Sequence, residues 1–471
     1  MSHRDMHCRS GSFTSAQEIQ GVFQGLLGQS APDVRFRDDC QWSPRGLVVV
    51  ALLWAWSARC GLAERLEQGL ETARGLGRKA VPRSTSYQAF LKLLVRWTQP
   101  LGNWLRDRFQ DCMRRDAQRY RHGKFVVMAA DGSKLQLART QSNEACYAPR
   151  KSRRRKQRTT KKSTQRRAAS AQRRARQARN KKADSPQMSL TMLFHAGWRL
   201  PWDWRLGPSD QSERAQLREM IPHLPADALL AADCGFVGYE FWADLLAAGR
   251  NFVIRVGGNV KLLKKLGLAR ERAGTVYLWP DKAAKRNQPP LVLRLVEVHD
   301  GRQSWFLVTS VLDARDLTDR DMAQIYRARW RIEVFFRHFK QTYGRSKLRS
   351  HKAEHARCEA EWSLWGLWAM MLHTQLQLDN PDGLSVVKML RAFRQSLDEH
   401  RCRTLPGDAL TDRLRRAVRD GYARRDKRSR CHPRKKYEPE TKAPRIVTAA
   451  NCQRKQAQQV TSATASKGLT A

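Results

Sequence analysis

Three acidic residues stand at positions where carboxylates are suited to phosphate chemistry. Asp131 follows the apolar stretch FVVMAA and precedes Gly132, and Asp233 follows the apolar stretch ALLAA and precedes Cys234-Gly235. A carboxylate at the end of a buried strand, next to a glycine turn, is where α/β sheets commonly build sites. Taken singly, each aspartate is equally well explained as an ordinary turn residue.

The third acid, Glu333, lies inside the stretch YRARWRIEVFFRHFK, which runs from Tyr326 to Lys340. On a helix with about 100° per residue, Glu333 shares one face with Tyr326, Arg329 and Lys340. The apolar residues of the stretch form the adjoining stripe, which predicts that the helix docks on a sheet. An ordinary ion pair between Glu333 and Arg329 or Arg337 is the simpler explanation of the glutamate alone.

Together the three carboxylates predict a divalent metal site. Mg²⁺ and Mn²⁺ prefer carboxylate oxygens. Two such ions about 3.5–4 Å apart activate the attacking oxygen of a phosphodiester reaction and stabilise the leaving oxygen. The neighbouring arginines and lysine would hold the flanking phosphates. The candidate catalytic and metal-binding residues are therefore Asp131, Asp233 and Glu333.

The charge of the chain indicates a polyanionic partner. Its 471 residues carry 89 Lys and Arg against 44 Asp and Glu, a net charge of +45. Nucleic acid is the partner that best neutralises such an excess. The stretch from Lys151 to Ala183 holds 16 Lys or Arg and no acid, which predicts a disordered insert that binds nucleic acid.

Membrane insertion and secretion are not expected. The longest apolar stretch, Gly46 to Trp56, is too short to span a bilayer and is predicted to be a buried helix. The polar N-terminus lacks a signal-peptide pattern, and the ten scattered cysteines fit reduced thiols. We expect a cytoplasmic protein that associates with the nucleoid and does not bind membrane.

The spacing of apolar residues divides the chain into five regions. Residues 1–120 are predicted to be a helical N-terminal domain, which either binds DNA ends or only packs on the core. Residues 121–256 predict an α/β sheet, with a tight turn at Gly132 and the basic insert at 150–184. Residues 257–320 are β-rich and are predicted to be an inserted subdomain. Residues 321–400 are helical and complete the core, and residues 401–471 are predicted to be a basic, disordered tail.

These motifs carry a family resemblance. The spacing Tyr326-x2-Arg329-x3-Glu333-x6-Lys340 resembles the Y-R-E-K signature of DDE transposases of bacterial insertion sequences, in the family numbered four. The stretches DGSKL and AADCGFVGYEFWADLLAAGRNFVIRV resemble the two aspartate motifs of that family. The resemblance implies a ribonuclease-H-like α/β catalytic core with an inserted β subdomain, preceded by the helical N-terminal domain.

The resemblance also implies roles for single residues. Two Mg²⁺ ions, with Mn²⁺ as the alternative, would be bound by the carboxylates of Asp131, Asp233 and Glu333. DNA near the cleaved end would be contacted by Tyr326, Arg329 and Lys340. Trp279 and Trp305 of the β-rich region either stack on a flipped base or pack within that region, and packing is the favoured interpretation.

The activity implied is that of a DNA transposase. A metal-activated water would cut the transposon end, and the freed 3′-hydroxyl would attack target DNA within a synaptic homodimer. Two alternatives stay open. One is a metal-dependent nuclease or domesticated recombinase on the same core, and the other is a non-catalytic basic protein that binds nucleic acid.

Overall fold

The computed structural model describes residues 15–76, 81–149, 185–299, 304–378, 381–402, 404, 408–419 and 442–468. The basic insert predicted at residues 150–184 lies outside the described residues, as do residues 420–441 of the predicted tail. No helix within the described ranges is both long and apolar enough to cross a bilayer.

The N-terminal region is helical, as its apolar spacing predicts. Its helices are α1 (Ser15–Leu27), α2 (Pro44–Trp56), α3 (Leu62–Gly75) and α4 (Tyr87–Arg114). The side chain of Ser43 caps α2 by accepting a hydrogen bond from the amide of Gly46, and Pro44 takes the first helical position. Pro100 lies inside α4, and the helix continues through it. Buried neighbours such as Leu101 hold the helix together there, although proline removes one backbone hydrogen bond.

The strands form one mixed sheet. They are β1 (Arg121–His122), β2 (Phe125–Gln136), β3 (Gln187–His195), β4 (Leu200–Pro208), β5 (Ala228–Ala232), β6 (Asn251–Val256), β7 (Lys261–Lys264), β8 (Thr275–Leu278), β9 (Leu291–His299), β10 (Ser304–Thr309) and β11 (Arg445–Thr448). Their order across the sheet is β11-β7-β8-β9-β10-β6-β5-β2-β3-β4, and β1 pairs with β2 beside this path. Strands β2, β3 and β4 pair antiparallel, whereas β2, β5 and β6 pair parallel. The predicted mixed α/β architecture is confirmed.

The remaining helices follow or connect the strands. They are α5 (Gln141–Tyr147), α6 (Glu213–Met220), α7 (Tyr239–Ala247), α8 (Asp281–Lys285), α9 (Asp319–Ala328), α10 (Trp330–Arg337), α11 (Ala353–Gln377), α12 (Val386–Cys402), α13 (Leu410–Arg415) and α14 (Asn451–Gly468). A π-helical turn, His338–Thr342, follows α10 directly. Helix α11 is buried around most of its circumference, as its apolar sequence predicts for a central helix.

Side chains of β2 alternate between the two faces of the sheet, and each face has its own packing partners. Phe125 and Val127 pack in one core cluster with Met322 and Ile325 of α9. Asp131 follows Val127 by an even number of residues in the same strand, so its side chain lies on this face. The face is the one that α9 and α10 cover.

The N-terminal helices share a core with the helices at the end of the sheet. Trp56 of α2 donates a hydrogen bond of 2.9 Å from Nε1 to the carbonyl of Gly366 in α11. The hydroxyl of Tyr343 donates to the carbonyl of Ala55. The buried guanidinium of Arg345 donates to the same carbonyl at 2.8 Å. Helix α2 therefore packs directly against the chain that follows the basic helical stretch.

Residues 257–320 and the described part of residues 401–471 both add strands to the main sheet. Residues 257–320 contribute β7 to β10, and these strands continue the main sheet through the pairing of β10 with β6. The prediction of disorder for residues 401–471 is wrong for their described part, which contains α13, β11 and α14. Strand β11 is ordered by parallel pairing with β7, where Arg445 lies opposite Lys261. A four-residue strand with so distant a partner leaves no local signal in the sequence.

Candidate active site

Asp131 and Asp233 lie at the same level on neighbouring strands. Strands β2 and β5 run parallel with Ala129 paired to Ala231, and each aspartate follows its alanine by two residues. Asp131 is inside β2, whereas Asp233 is the first residue after β5. The strand register therefore brings together the two aspartates that the sequence assigned to one site.

Gly132 is not in a turn, contrary to the prediction. Strand β2 continues without a break to Gln136, and Gly132 pairs with Thr191 of β3. A methyl group on Gly132 would overlap the carboxylate of Glu213, in the first turn of α6. Close approach of Glu213 explains the glycine better than any special backbone conformation does.

Backbone amides fix both aspartates. Asp131 Oδ1 accepts a hydrogen bond of 2.8 Å from the amide of Gly132. Asp233 Oδ1 accepts one of 2.8 Å from the amide of Gly235 and caps a short 3₁₀ turn. Burial raises the pKa of Asp131 to about 6, and the Gly132 amide and Arg329 offset only part of this rise. A desolvated carboxylate of this kind favours a cation as its partner.

The helical stretch that carries Glu333 is divided into three pieces. Helix α9 begins after Thr318, which forms a capping box with Asp321. Helix α10 begins after Arg329, and the π-helical turn that follows contains Lys340. The sequence predicted one uninterrupted helix, but the hydrogen-bond pattern changes at Arg329 and again after α10. Single π-helical turns of this kind are frequent at functional sites.

Arg329 lies between the first aspartate and the glutamate. Its Nη1 is 3.7 Å from Asp131 Oδ2, and its Nη2 donates a hydrogen bond of 2.9 Å to Glu333 Oε1. The Arg329 side chain is only 11% exposed, so both interactions are partly shielded from solvent. The ion pair expected between Arg329 and Glu333 is present, and it belongs to a bridge that joins Glu333 to Asp131.

Tyr326 shares this face but is buried. The Arg329 guanidinium lies 5.4 Å from the centre of its ring, and the ring of Trp305 lies edge-on at 5.8 Å. Burial raises the pKa of Tyr326. Trp279 is also buried, and its Nε1 donates a hydrogen bond of 2.8 Å to the carbonyl of Gln288. Trp279 therefore packs within the β-rich region, as the favoured interpretation predicts. Trp305 is only partly buried and packs on Tyr326 of α9, outside that region.

Lys340 reaches back from the π-helical turn to the sheet. Its Nζ donates a hydrogen bond of 2.6 Å to Oγ of Ser133, two residues after Asp131 in β2. Partial burial lowers the pKa of Lys340. This contact fixes the end of the helical stretch next to the strand that carries the first aspartate.

The three carboxylates are not close enough together to form a complete metal site. Among the residues that the structure describes, no three His, Cys, Asp or Glu side chains are grouped closely enough to hold a metal ion. Asp233 and Glu333 both contribute to the raised pKa of Asp131, so they lie within electrostatic range of it. The site offers the carboxylate oxygens that Mg²⁺ and Mn²⁺ prefer, with the Arg329 guanidinium placed between two of them.

Two neighbouring residues were not foreseen from the sequence. Burial and the charge of Asp233 raise the pKa of Glu213, which places this fourth carboxylate near the site. Trp330 is 59% exposed, directly after Arg329 in the chain. An acid in the first turn of a helix is too common to signal a site. The exposure of Trp330 could have been predicted, because the residue lies outside the apolar stripe of the helical stretch.

A family comparison agrees with this geometry. Residues 122–368, just over half of the chain, match the family model described as transposase DDE domain. The chain belongs to this transposase family. The range matched to the transposase DDE domain contains all three candidate acids and Lys340. The family resemblance inferred from the sequence motifs is confirmed.

Similarity to individual transposases is more limited. The transposase InsG for insertion sequence element IS4 of Escherichia coli (strain K12) is 29% identical over 171 residues, which is 34% of this chain and 37% of that protein. The chain thus matches little more than a third of the length of this curated relative. A solved structure of the piggyBac transposase synaptic complex with hairpin DNA has a TM-score of 0.41 and 10% identity. That match covers 89% of this chain and 88% of the other.

Proposed function

We propose that this protein is a DNA transposase that cleaves phosphodiester bonds at transposon ends and transfers the freed strand into target DNA. The observation that carries the proposal is the arrangement of the three acids. Asp131 and Asp233 lie level on adjacent parallel strands, and Glu333 is joined to Asp131 through Arg329. Membership of the transposase DDE domain family supports this assignment.

We propose that the three carboxylates hold two Mg²⁺ ions, with Mn²⁺ as the alternative. The donor set fits, because all three groups are carboxylates and the burial of Asp131 disfavours its charge without a cation. When bound, such ions supply activation of the attacking oxygen and stabilisation of the leaving oxygen. Arg329 must leave the space between Asp131 and Glu333 for both of them to become ligands.

The basic residues of the helical stretch would then position the DNA. An Arg329 side chain released from the two acids is suited to a DNA phosphate, because its guanidinium makes bidentate hydrogen bonds. Lys340 is already placed next to β2 by Ser133 and adds a positive charge close to Asp131. Tyr326 is buried, so its part would be to pack against Arg329 and orient the guanidinium, unless DNA binding exposes it.

Each region of the chain can be assigned a role in transposition. We assign residues 121–256 and 321–400 to a ribonuclease-H-like core, because they contain the three acids and the mixed set of strands β2 to β6. Residues 257–320 would be its β-rich insertion, and the helices within residues 1–120 would bind the transposon ends. We further propose that the enzyme acts on paired ends as a homodimer at the nucleoid.

A cleavage and strand-transfer assay tests the proposal. Purified protein is incubated with Mg²⁺ and DNA that carries the sequences flanking the gene, with Glu333→Gln as the matched variant. Nicked ends and joined products are expected from the wild type only. Cleavage without joining would instead indicate a nuclease. Equal binding without any product from either protein, with Mn²⁺ also tried, would indicate a non-catalytic DNA-binding protein.

A further inference from the structure

A second basic site lies on the other side of α10 from Glu333. It is a cavity of about 200 Å³ lined by Arg331 and His338, by Arg199 from the β3–β4 turn, and by Arg419. Arg331 donates a hydrogen bond of 2.7 Å to the carbonyl of Ala196. The amide of Ala196 in turn bonds to Val127 of β2, four residues before Asp131. At about 3.3 Å per residue along a strand, the cavity lies roughly 13 Å from the level of Asp131.

The three arginines are held in place by the walls of the cavity. Arg199 donates to the carbonyl of Asp382 at 3.0 Å and pairs with its carboxylate at 3.3 Å. Arg419 donates from Nε to the carbonyl of Leu384 at 3.2 Å. A guanidinium has five N–H donors, so these anchoring bonds occupy only part of its capacity. The wall contacts orient the guanidinium groups, as a site that recognises a planar or tetrahedral anion requires.

In the part of the chain that the structure describes, the cavity has more positive than negative side chains around it, because three arginines face one acid, Asp382. Burial is the largest cause that lowers the pKa of Arg199. The positive charge of Arg331 is the second cause, and that of Arg419 lowers the pKa further. Asp382 is the acid that opposes this effect on Arg199. Burial lowers the pKa of His338, the charges of Arg337 and Arg419 lower it further, and the neutral form of the ring is therefore favoured. Three positive side chains that repel one another across one cavity favour an anionic ligand between them.

Two features of Arg199 add to this argument. Its Nε is buried and has no hydrogen-bond partner among the described residues. Its backbone adopts a left-handed conformation with φ of 56°, which is unfavourable for a residue other than glycine. Residues kept in such conformations are concentrated at functional sites.

The floor of the cavity has a different chemistry. It is apolar apart from one amide, and the residues that form it are Phe335, Met371, Leu384, Val386 and Gln375. Arginines at the rim suit a phosphate group, and an apolar floor with an aromatic ring and an amide suits the face and edge of a base. We propose that this cavity binds one unpaired nucleotide, with the phosphate at Arg199, Arg331 and Arg419 and the base on the floor.

This proposal goes beyond the metal-dependent reaction and does not need it. Binding is therefore measured in EDTA at moderate salt, with a 5′-deoxynucleoside monophosphate, a short single-stranded oligonucleotide and inorganic phosphate as separate probes. Arg331→Gln and Arg419→Gln are compared with Arg337→Gln, which removes an equal charge from an exposed position on α10.

We expect Arg331→Gln and Arg419→Gln to weaken binding of the oligonucleotide by about tenfold, whereas Arg337→Gln changes it less than about twofold. A parallel loss for the monophosphate would identify a free nucleotide as a ligand, and a loss for the oligonucleotide alone would identify a nucleotide within a strand. A loss for inorganic phosphate but for neither nucleotide would overturn the role of the floor. Equal affinities for Arg331→Gln and Arg337→Gln would overturn the site, whatever the outcome of the cleavage assay.

A filling substitution separates the cavity from general charge effects. Val386→Phe adds volume to the floor without changing any charge. We expect it to weaken oligonucleotide binding like Arg331→Gln, while leaving the dependence of binding on salt unchanged. Unchanged affinity in a folded Val386→Phe protein would show that the base does not enter the cavity.

Discussion

Arg329 and Glu333 form a hydrogen-bonded ion pair of 2.9 Å, and the same guanidinium lies 3.7 Å from the carboxylate of Asp131. The positive group that neutralises these acids is thus part of the chain. A divalent ion that binds both carboxylates must compete with it, because the two cations need the same oxygens. Arg329 is therefore expected to weaken metal binding as long as no DNA phosphate draws it away.

The competition predicts an unusual effect of removing a positive charge. In the absence of DNA, Arg329→Gln should bind Mn²⁺ about tenfold more tightly than the wild type, since the ion no longer displaces a shielded guanidinium. Electron paramagnetic resonance of free Mn²⁺ measures this affinity. Arg337→Gln, on the exposed side of α10, is the control for general charge and should change the affinity far less. Weaker binding by Arg329→Gln would contradict the competition.

The raised pKa of Asp131 predicts a pH-dependent stability. The folded protein holds a proton on Asp131 up to about pH 6, above the range in which the unfolded chain loses it. Ionisation therefore destabilises the metal-free fold as the pH rises through this window, and protonation removes the penalty as the pH falls. Asp131→Asn should raise the free energy of unfolding in EDTA at pH 8 by at most about 3 kcal/mol, with little gain near pH 4.

Urea denaturation at pH 4, 6 and 8 measures this difference. Asp412→Asn is the control, because its side chain is 59% exposed and lies far along the chain in α13. A gain for Asp131→Asn that is the same at all three pH values would show that burial of the charge is not its cause.

The sequence predicted some positions of the site better than others. The position of Asp233, between a buried apolar strand and a glycine turn, could be predicted from the local pattern of apolar residues. The same holds for Glu333, whose position on one helix face with Arg329 follows from helical periodicity. The prediction of a turn at Gly132 was wrong. Glycine is required there because of Glu213, which belongs to α6 and is remote in sequence. Order in β11 depends likewise on a distant strand. Contacts between remote segments decide such features, and no local pattern records them.

The shared core of the N-terminal helices and α11 predicts a costly substitution. A methyl group on Gly366 would lie 2.9 Å from Cβ of Ala55 and 2.9 Å from the hydroxyl of Tyr343. Gly366→Ala should therefore lower the free energy of unfolding by about 1–3 kcal/mol, as overpacking does. Gly21→Ala in α1, with nothing within 4 Å of the new methyl group, should instead raise it by roughly 0.5–1 kcal/mol. Equal effects in denaturant melts would indicate that α2 and α11 are not tightly packed.

Lys340 is expected to contact a phosphate from its position beside Ser133. Lys340→Ala should weaken binding to transposon-end DNA and reduce the slope of log affinity against log salt by about 1. Ser133→Ala removes the hydrogen bond to Nζ but keeps the charge, so its salt slope should match that of the wild type. An unchanged slope for Lys340→Ala would mean that the lysine only ties the π-helical turn to β2.

Trp330 is the exposed aromatic residue nearest in sequence to Arg329, and 59% of its surface is accessible. A surface tryptophan beside a site for DNA offers a face on which an unpaired base stacks, worth about 1–3 kcal/mol. Trp330→Ala should therefore weaken binding to DNA with unpaired ends by about that amount. The salt slope should stay the same, since no charge is lost.

The matched control for this prediction is Leu312→Ala, because Leu312 is also exposed, at 43%, and apolar. Both substitutions should leave the free energy of unfolding within about 0.5 kcal/mol of the wild type, as exposed positions usually do. Fluorescence anisotropy with blunt and single-strand-tailed DNA then separates stacking from general affinity. If Trp330→Ala and Leu312→Ala bind the tailed DNA equally well, the tryptophan does not stack on DNA, and its exposure requires another explanation.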